Sequence, residues 1–243
     1  MRNLAGKRYW LVGASEGLGR AVAEELSKRG AEVLLSARNA ERLSDLAAGL
    51  PGEAAIVPLD VADAASVKAA ADELGDIDGV VFLAGLYWPM KASEWDAEQA
   101  ETMADVNFTG ALRVLSAVVP AFVARDRGHI VLTGSLSGFR GLPGAVGYGA
   151  SKAAVMSLAE TLRADLWRSG VVVQLVNPGF IRTRLTDKNT FEMPFIMDPD
   201  DAAKIFVGHM ERGGFVRNFP RAFSFVFRWS RFLPDWLYFR IFA

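Results

Sequence analysis

Tyr148 and Lys152 stand four residues apart in the run Tyr148-Gly149-Ala150-Ser151-Lys152. On a helix that spacing puts both side chains on one face. An ammonium beside a phenol favours the phenolate, and a helix N-terminus pushes the same way, so the pattern predicts a phenol tuned down toward neutrality. Such a phenol can give a proton to a carbonyl oxygen or take one from an alcohol. Ser135 lies 13 residues before the tyrosine, closing the run Ile130-Val131-Leu132-Thr133-Gly134-Ser135. A hydroxyl at the end of a parallel strand can hold a reacting oxygen. Asn107 interrupts the helical stretch Val106-Asn107-Phe108, where asparagine is a poor helix former; a side-chain or backbone group there could hold a water next to the lysine. A single Tyr–Lys spacing arises often by chance, whereas the four positions together are far more specific.

A second group of residues could hold a phosphate. The segment Val12-Gly13-Ala14-Ser15-Glu16-Gly17-Leu18-Gly19 follows an apolar run and opens a helical pattern. A tight turn needs residues without Cβ, and a pyrophosphate needs close backbone approach and the free N–H groups of a helix N-terminus. The spacing departs from G-x-G-x-x-G, and a plain strand-to-helix turn is the competing reading. In a dinucleotide-binding fold, the end of the next strand meets the adenosine ribose. Here it reads Leu35-Ser36-Ala37-Arg38, with no acid. Arg38 could fork onto a 2′-phosphate and Ser36 could add a hydroxyl, which favours NADP over NAD. Glu16 in the glycine loop is a counter-signal, and a solvated Arg38 is the plainer alternative. Asp60, with Val61 after it, could accept from an adenine amino group or equally cap the next helix.

Composition narrows the rest. The chain has 243 residues, of which 51% are apolar and 23% charged, with a formal net charge of −1. Such a chain buries a core, and its 27 basic against 28 acidic residues exclude a globally basic nucleic-acid binder. There is no cysteine, which removes disulfides and thiolate chemistry, and His129 and His209 are too few for a histidine metal cage. Both histidines read as structural or surface groups. The first residues lack a secretory leader's apolar core, and no uncharged run of about 18 apolar residues exists, so a cytoplasmic protein without a spanning helix is expected.

These residues must be positioned by elements, and the elements alternate. Strands are expected at Arg8–Val12, Glu32–Ala37, Ala54–Leu59, Gly79–Leu83, His129–Thr133 and Val171–Val176. Helices are expected at Gly17–Arg29, Ala40–Leu50, Ala64–Leu74, Ala97–Arg125, Tyr148–Ser169 and Pro199–Arg212. The strands are continuous apolar runs, as a parallel sheet covered on both faces requires. Successive βαβ units with right-handed crossovers predict an α/β, doubly wound parallel sheet. One domain is expected over residues 1–221, with residues 222–243 as a tail of the same domain.

Taken together, the glycine loop 13–19, Asp60, Ala84-Gly85, Asn107, Ser135, Tyr148 to Lys152 and Asn177-Pro178-Gly179 resemble the classical short-chain dehydrogenase/reductase family, in order and spacing, over residues 5 to 185. The resemblance implies a Rossmann fold and an NAD(P)-dependent oxidoreductase. It implies a tetrad of Asn107, Ser135, Tyr148 and Lys152, with Tyr148 as acid/base. Lys152 would also grip the nicotinamide ribose, and Asn107 would belong to a water-linked proton relay. After Pro178 and Gly179, Thr183 would meet the nicotinamide carboxamide, with Ile181 beside it. The sequence departs from the family at Phe82-Leu83-Ala84-Gly85, where two asparagines are usual, and at its C-terminal end, where Phe215–Phe219 is the candidate for a short last strand. The resemblance also implies a homodimer or homotetramer.

Two apolar segments, Leu86-Tyr87-Trp88-Pro89-Met90 and 185–197, suit a hydrophobic carbonyl or alcohol substrate, or a packed loop or subunit contact. A weakly catalytic cofactor sensor or scaffold on the same fold is the non-enzymatic alternative. A serine hydrolase is the rival enzyme class, against which stands the lack of a G-x-S-x-G elbow. The stretch 215–243 mixes Trp and Phe with Arg217, Arg221, Arg228, Arg231 and Arg240, and Pro234 should divide the tail 222–243 into two short pieces. That pattern fits a helix lying at a membrane surface, a contact between subunits, a flap over the active site, or ordinary core.

Overall fold

The computed structural model describes residues 1–242. Among them, seven strands pair in one sheet: β1 (Arg8–Val12), β2 (Glu32–Ser36), β3 (Ala54–Ile56), β4 (Gly79–Phe82), β5 (Gly128–Thr133), β6 (Val171–Pro178) and β7 (Val216–Phe219). Their order is β3-β2-β1-β4-β5-β6-β7, and every pair is parallel. β4 and β5 are buried along their whole length, which is why their centres, Val80–Phe82 and Ile130–Leu132, are apolar. Two separate apolar layers cover the sheet. One is built with α3 (Ala64–Leu74), α5 (Gly110–Ala124) and α6 (Val146–Asp165), through Val67, Val114, Val118, Val155 and Ala159. The other uses α1 (Gly17–Lys28), α2 (Ala40–Ala48) and α7 (Pro199–Arg212), through Val22, Leu26, Leu43, Phe206 and Val207.

The chain order reverses between β1 and β4, and the carboxyl ends of these strands flank a crevice there. β1, α3 and α7 occur residue for residue where the sequence predicts them. β3 stops at Ile56 rather than Leu59. Val57 and Leu59 still donate to Leu35 O and Ala37 O beyond the regular ladder, and Pro58 between them is tolerated because the outer side of this edge strand has no strand to pair with. α6 starts at Val146 rather than Tyr148, which puts the tyrosine in its first turn. The predicted helix 97–125 is α4 (Ala97–Ala104) running into a π-turn at Asp105–Thr109 and then α5. By length and composition, Ala97–Ala124 is long and apolar enough to cross a bilayer, which the lack of an uncharged run did not anticipate. Its Val106, Ala111, Val114, Val118 and Phe122 are instead packed in the core. β7 pairs with β6 as the short last strand, and two helices follow, α8 (Arg221–Ser230) and α9 (Asp235–Phe242), with Pro234 between them.

Candidate active site

A cleft of about 1410 Å³ opens at the carboxyl edge of the sheet and reaches from the glycine loop to the Tyr148 helix. Its floor is shaped by missing side chains. Gly13 has φ +98, and a Cβ there would lie 2.4 Å from Ala84 N; a Cβ on Gly19 would lie 1.9 Å from Gly13 O. The loop therefore touches β4 and its own helix as closely as backbones allow. Glu16 occupies the N-cap of α1 but makes no side-chain bond to it, so the first amides of the helix stay free for an anion. This cradle fits a pyrophosphate.

Ser15, Glu16, Gly17, Leu18, Arg38, Asp60, Val61, Ala84, Gly85, Pro178, Gly179, Ile181 and Thr183 all line the same cleft. Ser36, expected among them, does not reach the cleft. Its hydroxyl is fully buried, accepts from Trp10 Nε1 at 2.8 Å and donates to Val57 O at 2.5 Å. The last residue of a strand points to one face or the other, and Ser36 points into the layer that contains Trp10. Asp63, not Asp60, caps α3 by accepting from Ala65 N, which leaves Asp60 at the cleft wall with Oδ1 on Ala62 N at 3.0 Å. Glu16 is not a free acid. Its carboxylate bridges Arg42 at 2.7 Å and Arg184 at 3.0 Å, so two guanidiniums offset its charge beside Arg38. Neither arginine was singled out in the sequence. Arg184 lies 168 residues from Glu16, a separation at which opposite charge alone carries no signal.

At the other end, the tetrad expected by resemblance comes together around the first turns of α6. Lys152 is buried and donates from Nζ to Thr133 O at 2.9 Å, a bond that ties α6 to the end of β5. Its ammonium lies 5.8 Å from the centre of the Tyr148 ring. Burial lowers the lysine to about 8. The expected downward tuning of Tyr148 is not what this geometry gives: burial pushes the phenol up to about 12, with a hydrogen bond from Ser135 pulling the other way. Desolvation penalises the phenolate more than the lysine, busy with Thr133, can repay. Ser135 Oγ accepts from Ser137 N at 3.2 Å and from Ser137 Oγ at 2.9 Å, which leaves its own proton to point at the Tyr148 hydroxyl.

Asn107 lies behind this group, fully buried at the π-turn. Its Oδ1 accepts from Leu86 N at 2.6 Å, and its Nδ2 donates to Leu86 O at 3.0 Å and Ser151 Oγ at 2.9 Å. The side-chain amide is thus spent on clasping the loop after β4 to α6. The wide turn is how an asparagine faces inward from an otherwise apolar helix.

Tyr87 packs edge-on against Tyr148, with ring centres 5.0 Å apart. Its hydroxyl donates to Asn189 Oδ1 at 2.7 Å, and Lys188 Nζ donates to Tyr87 O at 2.8 Å, so the segment after Thr183 is pinned across the cleft mouth. From there Phe180, Phe191, Phe195, Phe223 and Phe227 form a chain of ring contacts between this segment and α8. The aromatic character of both segments was legible; the pairing of Tyr87 with Asn189 was not.

The family model for short chain dehydrogenases matches residues 7–193. The chain belongs to the short chain dehydrogenase family. The chain is 37% identical to an uncharacterized oxidoreductase of Myxococcus xanthus, across 98% of its own length and 97% of the relative's. It is 38% identical to an uncharacterized oxidoreductase of Staphylococcus epidermidis, over 74% of this chain and 80% of that one. Among solved structures, a short-chain dehydrogenase from Sphingobium yanoikuyae in complex with NADPH superposes with a TM-score of 0.82 at 30% identity, covering 88% of each chain. A short chain dehydrogenase from Burkholderia cenocepacia in complex with NADP gives 0.88 at 26% identity and covers both chains fully.

Proposed function

We propose that this short chain dehydrogenase is an NADP(H)-dependent oxidoreductase that interconverts a carbonyl and an alcohol on an apolar small molecule. The observation that carries the reading is the meeting of Tyr148, Lys152 and Ser135 at one end of a cleft whose other end is the glycine cradle and Arg38. When bound, the nicotinamide supplies or accepts the hydride. The protein's own groups do the rest. Gly13, Gly17 and Gly19 with the α1 amides hold the pyrophosphate. Asp60 and Val61 would meet the adenine end, Ala84 and Gly85 the middle of the cofactor, and Pro178, Gly179, Ile181 and Thr183 the carboxamide end; all line the cleft. Ser135 donates to the reacting oxygen as charge develops there. Tyr148, protonated at neutral pH, gives its phenolic proton to that oxygen in the reductive direction and recovers it in the oxidative one. Lys152 steadies the phenolate that remains and reaches the ribose, while Asn107 keeps Leu86 and α6 in register.

The phosphorylated cofactor is favoured because β2 ends without an acid and Glu16 is already held by two arginines. The aromatic lid and Tyr87 favour an apolar substrate. A cytoplasmic homodimer or homotetramer, with residues 1–221 as the catalytic domain, completes the reading.

The test is turnover across a panel of ketones, aldehydes and 3-oxoacyl thioesters, followed by reduced-nicotinamide absorbance. Reduction with NADPH of at least one apolar carbonyl is expected. Arg38→Ala should raise the KM for NADPH by about 10- to 100-fold, the worth of one charge-assisted hydrogen bond, and leave that for NADH unchanged. No turnover with either cofactor, together with no cofactor binding by calorimetry, would end the proposal.

A further inference from the structure

The last two helices leave an aromatic surface facing outward. Phe225, Trp229 and Phe232 follow at helical spacing on α8 and just beyond it, and Trp236, Phe239 and Ile241 continue the surface on α9. Phe232 is 80% exposed, Trp236 70% and Trp229 65%. This is not a loosely attached end. Ser224, Ser230 and Tyr238 are buried on the inner side. Arg140, from the segment between Ser135 and Tyr148, donates to Ser230 O and to Leu233 O, and pairs with Asp235 at 2.6 Å. Its guanidinium lies 3.8 Å from the Tyr238 ring centre, and the Tyr238 hydroxyl donates to Gly141 O. The hairpin is fastened by its polar inner seam, so the outward aromatics are held in place.

Charge decides what covers them. Arg221, Arg228 and Arg231 form a stripe along one side of the aromatic face, and among the described residues none of the three takes part in an ion pair. Asp235, the one acid of the segment, is engaged by Arg140. A second copy meeting this face across a two-fold axis would set arginine against arginine with no acid to answer. Anionic lipid headgroups answer all three, while the Trp and Phe rings enter the boundary between headgroup and acyl chain.

We propose that α8 and α9 dock the protein on an anionic bilayer. Phe223 and Phe227, on the opposite side of α8, line the cleft. One helix therefore has the bilayer on one side and the site on the other, and an apolar substrate could pass between them; this last point rests on the function proposed above. The docking itself is read without turnover.

The experiment is co-sedimentation of the full chain with vesicles of phosphatidylcholine alone and of phosphatidylcholine with phosphatidylglycerol, at low and high salt. Binding to the anionic vesicles, weakened by salt, is expected. Arg228→Ala with Arg231→Ala should weaken it by about thirtyfold, at the usual contribution of a basic residue near such a surface. Trp229→Ser with Phe232→Ser and Trp236→Ser should abolish it, with the thermal midpoint and turnover of a water-soluble carbonyl retained. Failure to sediment with the anionic vesicles overturns the proposal. So does a concentration-dependent dimer in sedimentation velocity that the triple variant dissolves, which would give the face to a second copy.

Discussion

Two tyrosines, Tyr9 buried and Tyr148 half-buried, sit at opposite edges of one sheet. Tyr148 lies at the carboxyl edge, in the cleft. Tyr9 lies near the amino edge, where its side chain crosses Gly79 of β4 and bonds to His129 Nδ1 of β5 at 2.8 Å. His129 Nε2 contacts Gln174 Oε1 at 2.8 Å, and Gln174 Nε2 donates to His209 O and Gly214 O. Both phenols are pushed up by burial, and each has a buried base beside or near it pushed down: Lys152 to about 8 and His129 to about 3. By titration alone the two regions look alike. They differ in what is left over. The Tyr9 cluster is spent on protein partners, ring to ring to amide to backbone, with Arg2 Nη1 on His129 Nε2 at 3.3 Å. The Tyr148 group faces open space, and Thr133 Oγ1 beside it is buried without a partner. A shifted titration marks burial; a shifted titration with an unspent hydrogen bond and room for a ligand marks a site.

That contrast is broken most directly at Tyr148. Tyr148→Phe should lower turnover by about 10²- to 10⁴-fold while leaving the Kd for NADPH unchanged, whereas Tyr9→Phe should lower stability and leave turnover per folded molecule alone. Steady-state kinetics with calorimetric cofactor titration measures both. Equal kinetic losses in the two variants would mean the edges are not functionally distinct.

A pH profile sharpens the comparison. Lys152 acts as an ammonium, and burial brings its pKa down to about 8. The charged form is therefore complete below that value and is lost as the pH rises through it. Reductive kcat/KM should be flat toward neutral pH and fall by about tenfold per unit above about 8. Lys152→Arg keeps the charge, so whatever activity it retains should lack this limb. A wild-type profile flat to pH 10 would show that the lysine is not so desolvated.

At the amino edge the equivalent change acts on stability. A Cβ on Gly79 would lie 2.4 Å from the Tyr9 ring and 2.8 Å from His129 O. Gly79→Ala must displace the ring or the strand, and should cost about 1–3 kcal/mol, a drop of several degrees in Tm for a chain of this size. Calorimetry measures it. An unchanged Tm would mean that the Tyr9–His129 contact is loosely held.

The two regions were also unequally legible. The glycine loop, Ser135, Tyr148 and Lys152 could be read because their chemistry is local: a turn without Cβ, a strand end, one helical turn. The doubly wound parallel sheet followed from apolar runs separated by helices. What escaped is what only packing creates. Ser36 stands at the right strand end for a cofactor contact, but its direction depends on Trp10, 26 residues away. Lys152 was read as lowering the Tyr148 phenol because the two are neighbours on a helix; the larger effect, removal of water from both, has no sequence signal. The clasp of Asn107 on Leu86 and Ser151, and the bridge from Glu16 to Arg184, join elements that approach only once the sheet has formed. His129 read as structural because nothing reactive lies near it in sequence, and its bonding with Tyr9 and Gln174 is of that kind.

The smallest effect belongs to His129. In the unfolded chain its imidazole takes a proton near 6.5, whereas in the fold burial keeps the ring neutral down to about 3. Between those values the unfolded state holds one more proton than the folded state. The ring's contribution to stability is therefore intact above pH 6.5 and drains away as the pH falls toward 3, by about 1.4 kcal/mol per pH unit. At pH 5.5 the loss should be about 1.4 kcal/mol. His129→Asn should be less stable at every pH, because it leaves Tyr9 and Gln174 short of a partner, yet its stability should fall more gently on the acid side, by one proton's slope. Urea unfolding of both proteins between pH 7 and pH 5 gives that difference directly, and carboxylates that titrate in the same window cancel in it. Parallel slopes would show that the ring exchanges protons with solvent in the folded state, and would leave the amino-edge cluster as open as the cleft.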